Sequence, residues 1–266
     1  MLPQIQTKHS GKEAISRALP IPCAKAVRRW CSDWESRKDS RYWISAAAMA
    51  PRRCPRRNLA QTCWASISRG TWSRPGTGGL NNLKFQEGDA SNLEQLPDKA
   101  FDLVVSIFGA MFAPKPFEVA KEMVRVTRPG GRIVMGNWIP NDPTLVAQIL
   151  KISSNYTPPP PEGFVSPMTW GVESNVIERF GAAGVPAKNI SFARDTFTFN
   201  FPGTPAAFVD AFRKYYGPTM NAFEAAEKKG RAAELQKELE ELFDSQNKSE
   251  AATSIPATFL RVTVAV

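Results

Sequence analysis

A buried strand, a helix and a second strand follow one another in the middle of the chain, and this order constrains the fold more than any other feature. Residues 101–107 form a nearly continuous apolar run, typical of a strand buried on both faces of a parallel sheet. Apolar residues at helical spacing predict a helix over 116–127, and an Arg-Pro-Gly-Gly turn at 128–131 separates it from an apolar strand at 132–138. The pattern predicts a βαβ unit with a right-handed crossover, and hence an α/β fold.

Further elements continue this pattern on both sides of the unit. Strands are predicted at 83–86, 190–201 and 258–266 from alternating apolar residues. Helices are predicted at 144–152, 171–181, 204–216 and 218–247, the last with an interruption at Gly230. The connection 139–170 contains four consecutive prolines, and its length predicts a lid or insertion on the substrate side.

The formal charge of +9 is distributed very unevenly along the chain. Residues 1–79 hold 15 basic against 4 acidic residues, all four cysteines and five of the seven tryptophans, whereas residues 80–266 hold 19 basic against 21 acidic residues. We therefore divide the chain into an anomalous basic segment, 1–79, and the remainder of an α/β domain, 80–266. No apolar strand is apparent before residue 80, so we expect an irregular or disordered N-terminal third and a sheet without its central strand.

Several classes of protein are disfavoured. Residues 1–17 lack the apolar core of a secretion signal, and the longest apolar run is too short to span a bilayer. The four cysteines lack paired C-x-x-C spacing, and the single histidine, His9, has no partner acid. These observations predict a cytoplasmic protein with no metal site, no disulfide framework and no membrane span.

The motifs between residues 83 and 138 resemble the class I S-adenosylmethionine-dependent methyltransferases of the small-molecule type, and the methyltransferase type 11 group in particular. The matching stretches are Phe85–Ala90, Leu96–Pro97, Phe101–Ser106, Phe108–Phe112 and Val126–Arg132. The resemblance implies a Rossmann-like fold with a mostly parallel central sheet and helices on both faces. It also implies S-adenosyl-L-methionine as cofactor and methyl transfer to a small-molecule acceptor.

The resemblance further implies which residues hold the cofactor. They are Gly88, Asp89, Ala90, Ser106, Ile107 and Phe108. Asp89 would accept a hydrogen bond from the adenine amino group, although a role as a turn or capping residue is also open. The strand end at 106–108 would border the methionine part of the cofactor, a location that also follows from geometry, because open α/β sheets bind ligands beyond the carboxyl ends of their strands.

Five residues are assigned to the acceptor side of the site. They are Met111, Phe112, Trp138, Tyr156 and Trp170, and the last three could equally well belong to the core. Methyl transfer from a sulfonium depends mainly on alignment and on exclusion of water, so no catalytic general base is assigned. Neither the acceptor nor the oligomeric state follows from the sequence.

The glycine-rich cofactor motif of the family is missing from the chain as written. The family pattern is a strand that ends in an acid, followed by G-x-G-x-G and, about 20 residues later, a second acid for the ribose hydroxyls. The genetic code offers an explanation if the gene is read in a shifted frame. Each new codon then consists of the last base of one residue's codon and the first two bases of the next residue's codon. We call the shifted codon that spans two successive residues a join. The joins from Arg41 to Ala50 permit the sequence aliphatic-Leu-Asp-x-Gly-x-Gly-x-Gly, and its Leu, Asp and last Gly follow whichever codons the gene uses.

The same shift restores the second acid. The joins on either side of Trp64 force Leu and Gly, and the join Ser66/Ile67 permits Asp. We therefore hypothesise that residues 28–78 are translated out of frame, and we expect weak or no cofactor binding by the chain as written.

Two alternative functions remain open. Paired arginines at 52–53 and 56–57, together with Trp43 and Trp64, are typical of nucleic-acid binding, so residues 28–74 could act as a basic, non-enzymatic binding segment. The other alternative is an inactive product of a damaged methyltransferase gene. Under the frame hypothesis the basic pattern is accidental, and a nucleic-acid partner is not favoured.

Overall fold

The computed structural model describes residues 42–46, 63–67 and 83–266, with side chains described from Gly88 onward. The described strands are β1 (Tyr42–Ala46), β2 (Cys63–Ile67), β3 (Leu83–Glu87), β4 (Phe101–Ile107), β5 (Thr127–Trp138), β6 (Ile190–Phe201) and β7 (Thr253–Ala265). The described α-helices are α1 (Pro116–Val126), α2 (Leu145–Ser154), α3 (Glu173–Ala182), α4 (Pro205–Tyr215), α5 (Gly217–Lys228) and α6 (Ala232–Gln246). Short 3-10 helices lie at Ala110–Phe112, Pro167–Gly171 and Ala187–Asn189.

The seven strands form one mixed sheet in the order β3-β2-β1-β4-β5-β7-β6. β4 pairs in parallel with β1 on one side and with β5 on the other, and all seven of its residues are buried. Only β2 and β7 run against the other five described strands, because each pairs antiparallel with both of its neighbours. The predicted α/β fold with a mostly parallel central sheet is therefore confirmed.

The expectation that the sheet lacks its central strand is wrong. β1 lies beside β4 at the centre of the sheet, and β2 lies between β1 and β3. Both strands are only five residues long, too short for alternation to stand out in a basic segment. Their aromatic and β-branched residues nevertheless suit strands, and pairing with the buried β4 supplies the tertiary context.

The turn predicted at 128–131 forms part of β5 as an irregularity. Phe101 of β4 pairs with Thr127, whereas Leu103 pairs with Arg132, so the residues between them bulge out of the ladder. Gly130 has a φ of 76°, a conformation that glycine adopts without steric cost. The bulge lets the chain pass directly from the end of α1 into β5.

Helices cover both faces of the sheet, as the burial of β7 shows. In its first half the buried residues include Ile255 and Ala257, whereas in its second half they are Leu260, Val262 and Val264. Successive strand residues point to opposite faces, so the buried face changes along the strand. α2 and α6 pack on β7, while α1 packs on β5 and against α3.

The helices that follow β6 pack through an aromatic cluster. Phe208 of α4 contacts Phe199 and Phe201 of β6, Phe212 of α4 and Phe243 of α6 at centroid distances of 4.8–5.9 Å. The predicted interruption at Gly230 is confirmed, since α5 ends before it and α6 begins after it. No described helix has the length and apolar character that a membrane crossing requires.

Several predictions concern residues outside this description. Cys23, Cys31, Cys54, His9 and the paired arginines lie there, as does most of the hypothesised glycine motif. The division of the chain at residue 79 and the lid role of 139–170 stay predictions.

Candidate active site

The carboxyl ends of β1, β3, β4 and β5 meet at one edge of the sheet. Ser106 of β4 is paired with Ser45 of β1, which pairs through Trp64 of β2 with Gln86 of β3. These four residues form one row, so Gln86 and Ser106 are separated by three strand spacings, about 14 Å. The segments that follow β3 and β4 therefore emerge at the same edge, where α/β sheets bind ligands.

The end of β4 is held by local hydrogen bonds. The Ser106 hydroxyl is buried and accepts a hydrogen bond from the Ala110 N–H at 2.9 Å, which ties the strand end to the first 3-10 helix. Phe108 has a φ of 50°, and its N–H donates to the Gly136 carbonyl of β5 at 2.9 Å. A positive φ is uncommon for a bulky residue and occurs mainly where the surroundings impose it, often at functional sites.

An aromatic cluster closes the edge between β4, β5 and β7. The Phe108 ring stacks on Trp138 at 3.7 Å with the planes 5° apart, and Phe259 meets both rings edge-on at 5.3 and 6.2 Å. Phe108 and Trp138 were predicted separately, for the cofactor and for the acceptor. The structure brings them into direct contact.

Two 3-10 helices pack over this edge and carry three of the predicted acceptor residues. Met111 is buried and Phe112 half-buried in the first, and Trp170 is buried in the second. The second helix lies so close to β5 that a Cβ on Gly171 would be 2.1 Å from the Trp138 carbonyl oxygen. Met111, Trp138 and Trp170 thus lie in one neighbourhood beside Ile107 and Phe108.

The loop after β3 presents the predicted adenine-binding residues. Gly88 is half-buried, Asp89 is exposed and Ala90 is fully buried. Asp89 Oδ1 accepts hydrogen bonds from the backbone N–H and the hydroxyl of Ser91 at 2.9 and 2.8 Å. The aspartate therefore shapes the turn through one oxygen, and its Oδ2 is the atom that could meet an adenine amino group.

Tyr156 makes its polar contacts with α6 and with the residue that precedes this helix. Its hydroxyl donates to Glu238 Oε1 of α6 at 2.6 Å, and the Arg231 guanidinium lies 4.4 Å from its ring centre. Burial, together with the hydrogen bond to the Glu238 carboxylate, raises the pKa of Tyr156 above its ordinary value. These contacts link Tyr156, in the segment after α2, to α6 and keep its phenol neutral.

Two buried polar side chains near the site were missed by the sequence analysis. Asn137 precedes Trp138, is 1% exposed, and neither its Oδ1 nor its Nδ2 has a hydrogen-bond partner among the described residues. Arg179 of α3 is 5% exposed and has an unpartnered Nη1. An asparagine in a strand or an arginine in a helix is not unusual. Only their burial distinguishes these two residues, and burial depends on tertiary packing. The described residues contain no group of His, Cys, Asp or Glu arranged to hold a metal ion.

Comparisons with known proteins support the methyltransferase resemblance. Residues 60–135 match a family model described as a methyltransferase domain, and the match begins inside the basic segment. An uncharacterized protein of Mycobacterium tuberculosis is 35% identical over 135 residues, 50% of this chain and 47% of that protein. Phosphatidylethanolamine N-methyltransferase of Cereibacter sphaeroides is 35% identical over 79 residues, 29% of this chain and 38% of that enzyme.

A solved structure, the YcgJ protein from Bacillus subtilis, aligns with a TM-score of 0.38 and 17% identity, covering 69% of this chain and 71% of that one. The chain spans about half the length of the first curated relatives it matches. The sequence match supports the resemblance drawn from residues 83–138, since residues 60–135 are similar to the methyltransferase domain family.

Proposed function

We propose that the site at the carboxyl ends of β3, β4 and β5 transfers a methyl group from S-adenosyl-L-methionine to a small-molecule acceptor. The observation that carries the proposal is the row of paired residues that sets the Asp89 turn and the Ser106–Phe108 strand end at one edge of the sheet. The family match over this stretch and the methyltransferase relative support it.

The residues after β3 fit the adenine end of such a cofactor. Asp89 uses one carboxylate oxygen for the turn and offers the second as an acceptor, and Ala90 follows it in the chain. Ser106, Ile107 and Phe108 would border the methionine end. When bound, the cofactor supplies a methyl group on a positively charged sulfur.

The chain's own residues would then exclude water and align the acceptor. The stack of Phe108 on Trp138, closed by Phe259, shields the strand ends from solvent. The unpartnered Asn137 amide offers both a donor and an acceptor atom to a polar acceptor group at the end of β5. The bound cofactor would supply the electrophilic methyl carbon, and these residues would contribute alignment of the acceptor and exclusion of water.

We further propose that the chain as written binds the cofactor poorly. The glycine turn and the ribose acid of the family are absent from its sequence, and a charge-assisted hydrogen bond of this kind contributes roughly 1.5–3 kcal/mol. A frame-corrected chain, with residues 28–78 taken from the neighbouring frame, would regain both groups.

Calorimetric titration with S-adenosylmethionine and S-adenosylhomocysteine tests both statements. We expect micromolar binding by the frame-corrected chain, weaker binding by its Asp89→Asn variant, and little or no binding by the chain as written. Failure of the corrected chain to bind would refute the methyltransferase proposal. Micromolar binding by the chain as written would refute the statement about its impairment.

A further inference from the structure

Arg179 is a buried cation without an anionic partner. It lies on α3 with 5% of its surface exposed, and no carboxylate of residues 88–266 forms an ion pair with it. Burial lowers its pKa, with only Glu178 acting at longer range in the opposite direction. Buried charges in proteins are normally paired or bind a ligand, so this arrangement calls for an explanation.

Neutral groups hold the guanidinium in a fixed orientation. Nη2 donates to the Thr169 hydroxyl at 2.7 Å, and the guanidinium carbon lies 4.6 Å from the centre of the Trp170 ring. Asn175 Nδ2 donates to the Thr169 carbonyl at 3.1 Å, which anchors the same 3-10 helix to α3. The position of Arg179 is therefore set without any negative charge.

Two hydrogen-bond donors in this arrangement remain unused. They are Arg179 Nη1 and the indole Nε1 of Trp170, both buried and without a partner in the part of the chain that the structure describes. Both donors belong to side chains in direct contact, since the guanidinium carbon lies 4.6 Å from the centre of the indole ring. An unsatisfied buried donor costs about 1–3 kcal/mol, so the pair favours an acceptor that reaches both.

We propose that Arg179 and Trp170 form a binding site for a small carboxylate ligand. One carboxylate oxygen accepts from Arg179 Nη1 and the other from Trp170 Nε1, and the negative charge neutralises the buried guanidinium. A carboxylate offers two oxygens to the two donors, whereas a monatomic anion offers a single acceptor. The site lies between α3 and the 3-10 helix Pro167–Gly171, and it requires neither methyl transfer nor the cofactor.

Titration of the full-length, ¹⁵N-labelled chain with sodium formate, at ionic strength held constant with sodium chloride, tests the proposal. The Trp170 indole N–H resonance, assigned by its loss in Trp170→Phe, should shift and saturate with formate. The thermal midpoint should rise with formate and not with chloride. Arg179→Gln keeps a neutral hydrogen-bonding side chain and should weaken formate binding about ten- to hundredfold, the loss of one charge-assisted hydrogen bond.

Two further variants keep the test decisive. Arg179→Lys retains the charge and serves if Arg179→Gln does not fold, with weakened but measurable binding expected. Arg213→Gln removes an exposed arginine paired with Glu227 and should leave formate binding unchanged. A Trp170 resonance that does not saturate with formate, responds equally to chloride, or titrates identically in wild type and Arg179→Lys would overturn the proposal.

Discussion

The pair of Glu122 and Arg125 holds the loop before β4 against α1. Glu122 accepts two hydrogen bonds from Arg125 at 2.8 Å and one from the Leu93 N–H at 2.6 Å. We expect Glu122→Gln to lower the free energy of unfolding by about 1–3 kcal/mol, because the half-buried Arg125 keeps its exposed partner Asp98 but loses its charge-assisted hydrogen bonds to Glu122. Urea denaturation measures this. Glu118→Gln, in an exposed pair with Lys121, is the matched control and should change stability by less than about 0.5 kcal/mol.

The same pair predicts a pH dependence. The side-chain hydrogen bond with Arg125, reinforced by the Leu93 N–H, lowers the pKa of Glu122 below its ordinary value of 4.5, although burial opposes the shift. A carboxylate with a lowered pKa contributes stability that is fully present above the ordinary pKa and is lost as pH falls through the lowered one. The difference between wild type and Glu122→Gln should therefore shrink as urea denaturation is moved from neutral pH to below 4.5. A difference that is independent of pH would contradict this.

Gly171 is predicted to be intolerant of any side chain. An added Cβ would lie 2.1 Å from the Trp138 carbonyl oxygen and 2.8 Å from the Ile139 Cα, both backbone atoms that cannot rotate away. We expect Gly171→Ala to destabilise the chain by about 1–3 kcal/mol, as overpacking does. Gly181→Ala, inside α3 with no atom within 4 Å of the new Cβ, should be neutral or stabilising by up to about 1 kcal/mol. Equal thermal midpoints for the two variants would show that the 3-10 helix shifts freely.

At the scale of residues, the sequence located Ser106 and Phe108 but missed the buried polar residues Asn137 and Arg179. Ser106 and Phe108 could be placed because a buried strand ends there, and ligands lie beyond strand ends. The stack of Phe108 on Trp138 could not be foreseen, since it depends on the positive φ of Phe108 and on the register of β4 with β5. Asn137 and Arg179 carry no sequence signal, because their burial depends on tertiary packing.

At the scale of elements, Gly230 separates two helices that would otherwise run together. It lies between α5 and α6 with a φ of 68°, and an added Cβ would meet no atom within 4 Å. The cost of Gly230→Ala is therefore conformational, and we expect a loss of about 1 kcal/mol in urea denaturation. Gly230→Asn should lose less, because asparagine tolerates this region better. The opposite ranking would indicate that the two helices merge when alanine is present.

Strand boundaries followed from the sequence for β4 and β6, and failed for β7, where the number of neighbouring strands changes along its length. β4 and β6 occupy the predicted residues, 101–107 and 190–201. β7 begins at Thr253 rather than 258 because its first residues, which include Pro256, pair only with β6. A proline is tolerated there since its missing N–H faces no partner strand. Local sequence cannot show which residues of a strand have one neighbour and which have two.

At the scale of the whole molecule, β2 has an unexpected direction. It runs antiparallel to β1 and β3, yet the connections on either side, residues 47–62 and 68–82, have the length of crossovers. Hairpins need only two to five residues, whereas parallel neighbours need a dozen or more. β1 and β2 lie in the segment that we hypothesise to be out of frame, residues 28–78. The family match begins at residue 60 in the frame as written, so the nucleotide sequence across codons 20–85 must fix the limits of that segment.

Correcting the frame should reverse β2. The hypothesised ribose acid, at the join Ser66/Ile67, reaches the site only if the carboxyl end of β2 lies beside that of β1, which requires a parallel pair. In the chain as written Ile67 pairs with Tyr42, at the opposite end of β1. In cysteine-free backgrounds, the chain with Tyr42→Cys and Ile67→Cys should therefore form a disulfide, since paired residues lie within disulfide range.

In the frame-corrected chain, cysteines at positions 46 and 67 should cross-link instead, and those at 42 and 67 should not. Oxidation followed by non-reducing electrophoresis and peptide mapping distinguishes the two pairings. The same 42–67 cross-link in both chains would mean that the direction of β2 is set outside the hypothesised segment, and the frame hypothesis would then explain the basic charge without restoring the cofactor site.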